Sequence, residues 1–262
     1  MWTWKDYYND CCKFAKSLIF LKSEKFKIVN ILGFNSPEWL IANNGAMFAC
    51  CIAAGIYATN SPEACHYITQ HSSAEVVVLD GNKQLAKYAG VPKKEFPNLK
   101  ALVVYGEDAV DQAVASKCNA PVYLWKDFLE LGSKVDETDL QSRMKAVGTG
   151  NCSTLIYTSG TTGPPKAVMI SHDNITWTAK NMCENFFDLN HTDRVISYLP
   201  LSHIAAQTFD IHVPMYLGCS LFFCQPDALK GSLSITMREA RPTMFFAVPR
   251  VWEKIQEKMV GY

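Results

Sequence analysis

Short apolar runs alternate with helix-start signals along this chain, and that alternation limits its fold more than any other feature. Residues 27–32 predict a strand, and Ser36 followed by Pro37 predicts the cap and first turn of a helix. The runs at 76–79 and 102–105 are continuously apolar, as in strands that are buried on both faces of a sheet. The first part of the chain therefore predicts alternating strands and helices.

The same rhythm returns in the second part of the chain. Strands are predicted at 195–199, 221–224 and 244–248, and a helix is predicted at 205–216. The last of these strands is expected to belong to the core of a sheet. Together the two parts predict an α/β fold, with mainly parallel sheets flanked by helices on both faces.

Length and one polar stretch bear on the domain organisation. The chain has 262 residues, 48% of them hydrophobic, which is enough to bury the core of one large domain or two smaller ones. Residues 132–150 are mostly polar. They are predicted to be a linker that joins a sub-region at 1–131 to a second sub-region at 151–262.

A loop rich in glycine and hydroxyl residues follows a short apolar strand at 154–157. Glycine lets backbone N–H groups approach a ligand closely, hydroxyls add donors, and a lysine adds a mobile positive charge. Such a loop suits a polyphosphate, while its composition alone leaves an ordinary turn as an open alternative. The candidate residues are Thr158, Ser159, Gly160, Thr161, Thr162, Gly163, Pro164, Pro165 and Lys166.

The spacing within this loop excludes three better-known motifs. Gly160 and Gly163 are separated by two residues rather than the four of a P-loop, and a G-x-G-x-x-G dinucleotide fingerprint is absent. Tyr157 and Thr161 stand where the nucleophile elbow G-x-S-x-G requires glycine, so Ser159 is not expected to be a nucleophile.

The ordered string TSGTTGPPK at 158–166 resembles the signature loop of the adenylate-forming superfamily. Five further stretches resemble the bubblegum-type long-chain acyl-CoA synthetases within it, and they run in the family's order over the whole chain. They are NSPEAC at 60–65, SHDNITW at 171–177, YLPLSHIAAQ at 198–207, DALKG at 227–231 and VPRVWEKI at 248–255.

This resemblance implies a fold, an activity and a set of substrates. The fold would be a partial AMP-binding (adenylation) domain over residues 1–262, belonging to the large N-terminal domain of the family, with the small C-terminal domain absent. A long-chain fatty acid would attack the α-phosphate of ATP to give acyl-AMP, and the CoA thiol would then displace AMP. ATP, Mg²⁺ and CoA are the implied cofactors and co-substrates, and the chain alone is expected to be inactive.

The resemblance also assigns roles to individual residues. The loop from Thr158 to Lys166 would contact the phosphates of ATP, and Lys166 would act in catalysis. His203 matches the P-x-x-H of the family, which lies near the acyl carboxylate and the adenylate. Without the resemblance, a histidine that satisfies the start of a helix is the simpler interpretation of His203.

Two departures from the family pattern stand out. Ala167 follows the loop lysine where the family usually has glycine. Cys50 and Cys51 stand where the family usually has a pair of glycines. A missing glycine at a tight backbone approach could weaken ligand binding.

Three functions from different classes remain open on this reasoning. The first is long-chain fatty-acid activation, of which this chain supplies a portion. The second is adenylation of another carboxylate, against which the stretches at 171–177 and 198–207 argue. The third is a non-catalytic, truncated isoform that binds a nucleotide or a partner.

Charge and cysteine usage exclude several other classes of protein. Lysine plus arginine and aspartate plus glutamate number 25 each, so no basic surface for nucleic acid is predicted. No signal peptide is recognised, and the longest apolar run, at 46–58, is too short for a transmembrane helix. The ten cysteines contain no C-x-x-C, and no metal site built from protein ligands is expected. The expected location is cytoplasmic, with possible peripheral association with the endoplasmic reticulum or other membranes.

Overall fold

The fold is built around a seven-stranded sheet. The structure is a computed structural model, and it describes residues 1–158, 163–186 and 188–260. The strands of the sheet are β1 (Ile28–Leu32), β2 (Ile52–Ile56), β3 (Val76–Asp80), β4 (Ala101–Tyr105), β5 (Val122–Leu124), β6 (Cys152–Thr158) and β7 (Lys166–Ser171). Their order in the sheet is β5-β4-β3-β1-β2-β6-β7. All neighbours pair in parallel except β7, which runs antiparallel to β6 at one edge.

The helices begin where capping residues satisfy the free N–H groups of their first turns. Ser36 accepts a hydrogen bond from the amide of Trp39, and Ser61 accepts one from the amide of Ala64, each with proline in the first turn. The α-helices are α1 (Trp4–Phe20), α2 (Pro37–Phe48), α3 (Pro62–His71), α4 (Gly81–Leu85), α5 (Gln112–Ala115), α6 (Trp125–Leu131), α7 (Glu137–Lys145), α8 (His172–Asn181), α9 (Ile204–Gln207), α10 (Val213–Leu217), α11 (Leu233–Ala240) and α12 (Pro249–Val260).

Side chains that alternate along the strands build a core on each face of the sheet. Val29 and Ile31 of β1 pack with Phe14 of α1 in one buried cluster. Ile28 and Leu32 point to the opposite face and join a second buried cluster that includes residues of α3. Because both faces are covered, β1 to β4 consist mainly of apolar residues. The predicted α/β fold with a mainly parallel, helix-flanked sheet is confirmed.

A second, smaller sheet follows in the chain. It pairs β8 (Arg194–Ser197) in parallel with β9 (Ser220–Phe223). The strand predicted at 244–248 does not form, and Met244 makes only an isolated bridge to Val195. The carbonyl of Phe246 instead accepts a hydrogen bond from the Tyr198 hydroxyl at 3.0 Å, so this backbone is held by a side chain rather than by a neighbouring strand.

The polar segment 132–150, predicted to be a linker, contains helix α7, which packs against α1 and α2. Leu140 is fully buried. Glu137 forms an ion pair with Lys16 of α1 at 3.0 Å, and Arg143 donates a hydrogen bond to the carbonyl of Ser23 at 2.8 Å. The segment is therefore fixed to α1 rather than extended.

Candidate nucleotide-loop site

The predicted phosphate loop connects β6 to β7, so a tight antiparallel pair of strands carries it. Thr158 and Lys166 lie opposite each other as the last pair of residues before the loop. Both are exposed at the carboxyl end of β6. The middle of the loop, namely Ser159, Gly160, Thr161 and Thr162, lies outside the described residues.

The described part of the loop has two properties that suit an anionic ligand. Gly163 has a φ of +90°, in the left-handed region that favours glycine, and a Cβ added there would meet no atom of the described residues within 4 Å. Lys166 is exposed and forms no salt bridge with any residue in the described ranges. A positive charge that has no salt-bridge partner among the described residues therefore lies where the loop joins β7.

His203 lies at the start of α9, where it is exposed and caps the helix. Its Nδ1 atom accepts a hydrogen bond from the amide of Ala205 at 3.2 Å. Since Nδ1 accepts, the proton of the neutral ring is on Nε2, which can donate outward. The capping role of His203 is thus confirmed, and its contact with a substrate stays a prediction.

Strand β2 neighbours both candidate segments, the phosphate loop after β6 and the segment that contains His203. It pairs with β6 through Ala53 and Ala54, and its carboxyl end points the same way as that of β6. Near that end, a Cβ added to Gly55 would lie 2.8 Å from the Cα of Ser202, the residue that precedes His203. The phosphate loop and the His203 segment therefore emerge beside neighbouring parallel strands, where α/β sheets bind ligands.

A chain of hydrogen bonds fixes the residues on either side of His203 in the sequence. Asn35 follows β1 and donates from Nδ2 to the Ser197 hydroxyl at 2.7 Å and to the Leu199 carbonyl at 2.8 Å. The Ser197 hydroxyl in turn donates to the carboxyl of Asp210 at 2.8 Å. This chain ties the large sheet to β8, and nothing in the sequence signalled it.

Two buried titratable groups lie on the turn of π-helix at Thr208–His212, which continues α9. Burial raises the pKa of Asp210 to about 8, and the hydrogen bond from Ser197 only partly opposes that shift. Burial lowers the pKa of His212 to about 4, with a smaller contribution from His172. At pH 7, Asp210 is therefore protonated and His212 is neutral.

The sequence matches the family described as AMP-binding enzyme over residues 1–260. The chain belongs to the AMP-binding enzyme family. It is 48% identical to the long-chain-fatty-acid–CoA ligase ACSBG2 of Gallus gallus over 98% of this chain and 33% of that protein. It is 46% identical to the long-chain-fatty-acid–CoA ligase ACSBG2 of Homo sapiens over 96% of this chain and 37% of that protein. The chain thus spans about a third of the length of these relatives.

A solved structure of the anthranilate CoA ligase AuaEII, in complex with anthranoyl-AMP, shares the fold. Its TM-score is 0.76, with 21% identity over 93% of this chain and 44% of that protein. The prediction of an AMP-binding, adenylate-forming fold is therefore confirmed.

Cys50 and Ala167, which stand where glycine was expected from the resemblance, differ in their backbone conformation. Cys50 has a φ of +59°, a left-handed conformation that glycine adopts more easily. Ala167 is not among the described residues with positive φ, and its half-buried side chain packs against the second core cluster. Alanine is therefore accommodated at 167, whereas cysteine at 50 carries backbone strain.

The described residues also bear on metal binding and membranes. In residues 1–158, 163–186 and 188–260, no group of three or more His, Cys, Asp or Glu side chains could hold a metal ion. Over those same ranges, no helix has both the length and the apolar character that a membrane-spanning helix needs.

Proposed function

We propose that this chain supplies the phosphate-binding part of a long-chain fatty-acid–CoA ligase. The observation that carries the proposal is the exposed Lys166, which has no salt-bridge partner in the described chain. It follows the left-handed Gly163 in the connection between β6 and β7. The long-chain ligases of Gallus gallus and Homo sapiens support the substrate class, since nearly the whole chain aligns with each of them.

The proposed reaction has two steps. A carboxylate oxygen of the fatty acid attacks the α-phosphate of ATP, and the bond to pyrophosphate breaks to give acyl-AMP. The sulfur of CoA then attacks the acyl carbon, and AMP leaves as the thioester forms. Displacement at phosphorus depends mainly on positioning and on neutralising charge, so a protein needs few covalent roles to promote it.

This chain would contribute charge and hydrogen-bond donors to the first step. Lys166 and the backbone near Gly163 would stabilise the negative charge that develops on the departing pyrophosphate. Nε2 of His203 would donate to an oxygen of the fatty-acid carboxylate and orient it. Mg²⁺, bound to ATP through its phosphate oxygens, would neutralise further charge, and the described residues offer it no ligand cluster of their own.

Lipid substrates also suggest where the reaction takes place. A fatty acid partitions into membranes, so we place the enzyme in the cytoplasm with peripheral contact to the endoplasmic reticulum or other membranes. Fractionation of cells that express the tagged protein tests this placement. Recovery in a membrane fraction that resists alkaline extraction and is released only by detergent would contradict peripheral contact.

The phosphate role is tested by Mg·ATP binding to residues 1–262. Lys166→Ala should weaken binding at least about tenfold, because a charge-assisted contact is lost. Lys126→Ala is the matched control, since Lys126 is also exposed but lies on α6, which follows the strand at the opposite edge of the sheet. Equal affinity for the two variants would overturn the role of Lys166.

The substrate class is tested with a chimera. This chain replaces the matching 260 residues of the Gallus gallus ligase, and pyrophosphate release is measured over a panel of acids. Long alkyl chains should give the highest kcat/KM. A preference for aryl or amino acids would contradict the proposal, and thermal unfolding of the chimera separates a change of specificity from a failure to fold.

A further inference from the structure

Helix α3 contacts both strands from which the phosphate loop emerges. The hydroxyl of Tyr67 donates to the carbonyl of Pro165, directly before β7, at 3.0 Å. One helical turn later, Nδ1 of His71 shares a hydrogen bond with the hydroxyl of Tyr157, near the end of β6, at 3.0 Å. Two side chains of one helix thus hold the two ends of the loop.

The rings of these residues also pack on one another. Tyr67 stacks on His71 with centroids 5.4 Å apart and an interplanar angle of 28°. His71 meets the edge of Tyr157 at 5.7 Å and 78°. Tyr157 is 6% exposed and its hydroxyl also lies 3.5 Å from the carbonyl of Ile68 in α3. The three rings form a continuous contact from α3 to β6.

The hydroxyl of Tyr157 is protonated at neutral pH and can take part in hydrogen bonds. The ordinary pKa of tyrosine, 10.0, is already well above 7, and burial raises the pKa of Tyr157 further, to about 12. Tyr67 is half-buried, which places its bond to Pro165 partly out of water. Hydrogen bonds of this kind hold their geometry better than bonds in full contact with solvent.

We propose that Tyr67 and His71 are positioning residues, which hold the ends of the phosphate loop in the geometry that binds ATP. The proposal rests on the proposed function of the loop. Neither residue is assigned contact with a reacting atom; each acts through Pro165 or Tyr157. Because the two ends are already fixed before ATP binds, binding costs less conformational entropy, and the affinity is higher.

The bond at Tyr67 can be removed without changing the ring. Tyr67→Phe deletes only the hydroxyl and keeps the stacking on His71. Tyr88→Phe is the matched control, because the Tyr88 hydroxyl also bonds to α3, at Thr69 Oγ1 and 3.0 Å. Among the described residues, its ring pairs with His66 and Phe96 rather than with the loop. A loss of α3 stability alone would therefore affect both variants, whereas a loss of loop positioning would affect Tyr67→Phe.

Two measurements on residues 1–262 decide the proposal. Amide hydrogen exchange of the peptide spanning residues 157–168 should be about threefold to tenfold faster in Tyr67→Phe than in the wild type, and unchanged in Tyr88→Phe. The Kd for Mg·ATP should rise by a similar factor of about three to ten in Tyr67→Phe only. His71→Phe, which keeps an aromatic ring but lacks Nδ1, should change both quantities in the same direction.

Unchanged exchange in Tyr67→Phe would overturn the proposal, as would equal changes in the Tyr88 control. Faster exchange with unchanged Mg·ATP affinity would also overturn it, because the tether would then not serve binding. If wild-type protein bound no Mg·ATP while exchange still responded to Tyr67→Phe, the tether would stand and the proposed nucleotide function would fail. The two ideas are therefore separated by the same pair of measurements.

Discussion

The Cα of Ser202 occupies the space into which any side chain on Gly55 would extend. A Cβ built at Gly55 would lie 2.8 Å from that Cα and 3.1 Å from Cζ2 of Trp39. Contacts this short force the backbone to move, since Ser202 Cα is not the tip of a flexible side chain. The segment that ends in His203 can therefore lie against β2 because residue 55 is glycine.

We expect Gly55→Ala to reduce the free energy of unfolding by about 1–3 kcal/mol, the usual range for an overpacked site. Urea denaturation measures this loss. Gly150→Ala is the control, because a Cβ there meets nothing within 4 Å. Similar losses in the two variants would show that the close approach of Ser202 does not limit residue 55.

The contact between the two sheets depends on Asn35. Asn35→Ala should lower the free energy of unfolding by about 1–3 kcal/mol, because the hydrogen bonds to Ser197 and Leu199 are lost from a partly buried site. Asn119→Ala, which removes a single bond to the carbonyl of Val91, should be less destabilising. The reverse order in urea denaturation would contradict a special role for Asn35.

The raised pKa of Asp210 predicts that its contribution to the free energy of unfolding falls as the pH rises. Its pKa is about 8 in the folded chain and near its ordinary value of 3.8 when unfolded, so the folded state holds a proton that the unfolded state has released. The stabilisation is complete below about pH 4 and declines as the pH rises to about 8. The decline is at most about 1.4 kcal/mol per pH unit. Asp210→Asn should remove it, as urea denaturation at a series of pH values would detect.

The lowered pKa of His212 predicts the opposite pH dependence for its contribution to the free energy of unfolding. Its pKa is about 4 in the folded chain against an ordinary 6.5, so the unfolded state takes up a proton that the folded state refuses. The contribution of His212 to stability should therefore fall as the pH drops from about 6.5 to about 4. In the wild type the opposite trend of Asp210 largely cancels this decline over the same pH range, so it should become visible in Asp210→Asn. Adding His212→Gln to Asp210→Asn should then flatten it, and an unchanged acid decline in the double variant would contradict the assignment.

Cys50 should be better replaced by glycine than by alanine. The amides of Cys50 and Cys51 bond to the carbonyls of Met47 and Ala46, which is a Schellman motif with Cys50 in its left-handed position. Both replacements lose the thiol, so their difference reports the strain at φ +59°. Cys50→Gly should be more stable than Cys50→Ala by about 1 kcal/mol in thermal or urea unfolding. Equal stability would mean that the strain is relieved elsewhere.

Local patterns were sufficient for most of the fold. The apolar runs at 76–79 and 102–105 became β3 and β4, since strands buried on both faces need apolar side chains at every position. Ser36 and Ser61 became helix caps because a cap requires only residues within one turn. These features depend on neighbours in the sequence, and so they were predictable from it.

Residues 244–248 show where a local pattern fails. The run is apolar enough for a strand, but a strand also needs a partner that accepts and donates its backbone hydrogen bonds. The hydroxyl of Tyr198 takes the Phe246 carbonyl instead. The polar segment 132–150 contains a helix that contacts Lys16 and Ser23, and such distant contacts cannot be read from a local pattern. Its role as a linker between two sub-regions stays a prediction.

The amino-acid sequence was enough to identify the candidate loop at 158–166, His203 and the alternation of strands and helices, because each is a pattern of consecutive residues. The bond from Tyr67 to Pro165, 98 residues away, and the packing of Ser202 against Gly55 became visible in the folded structure alone. Contacts at such separations depend on how strands and helices pack in space. A hydroxyl or a missing Cβ becomes informative once that packing places a specific partner against it.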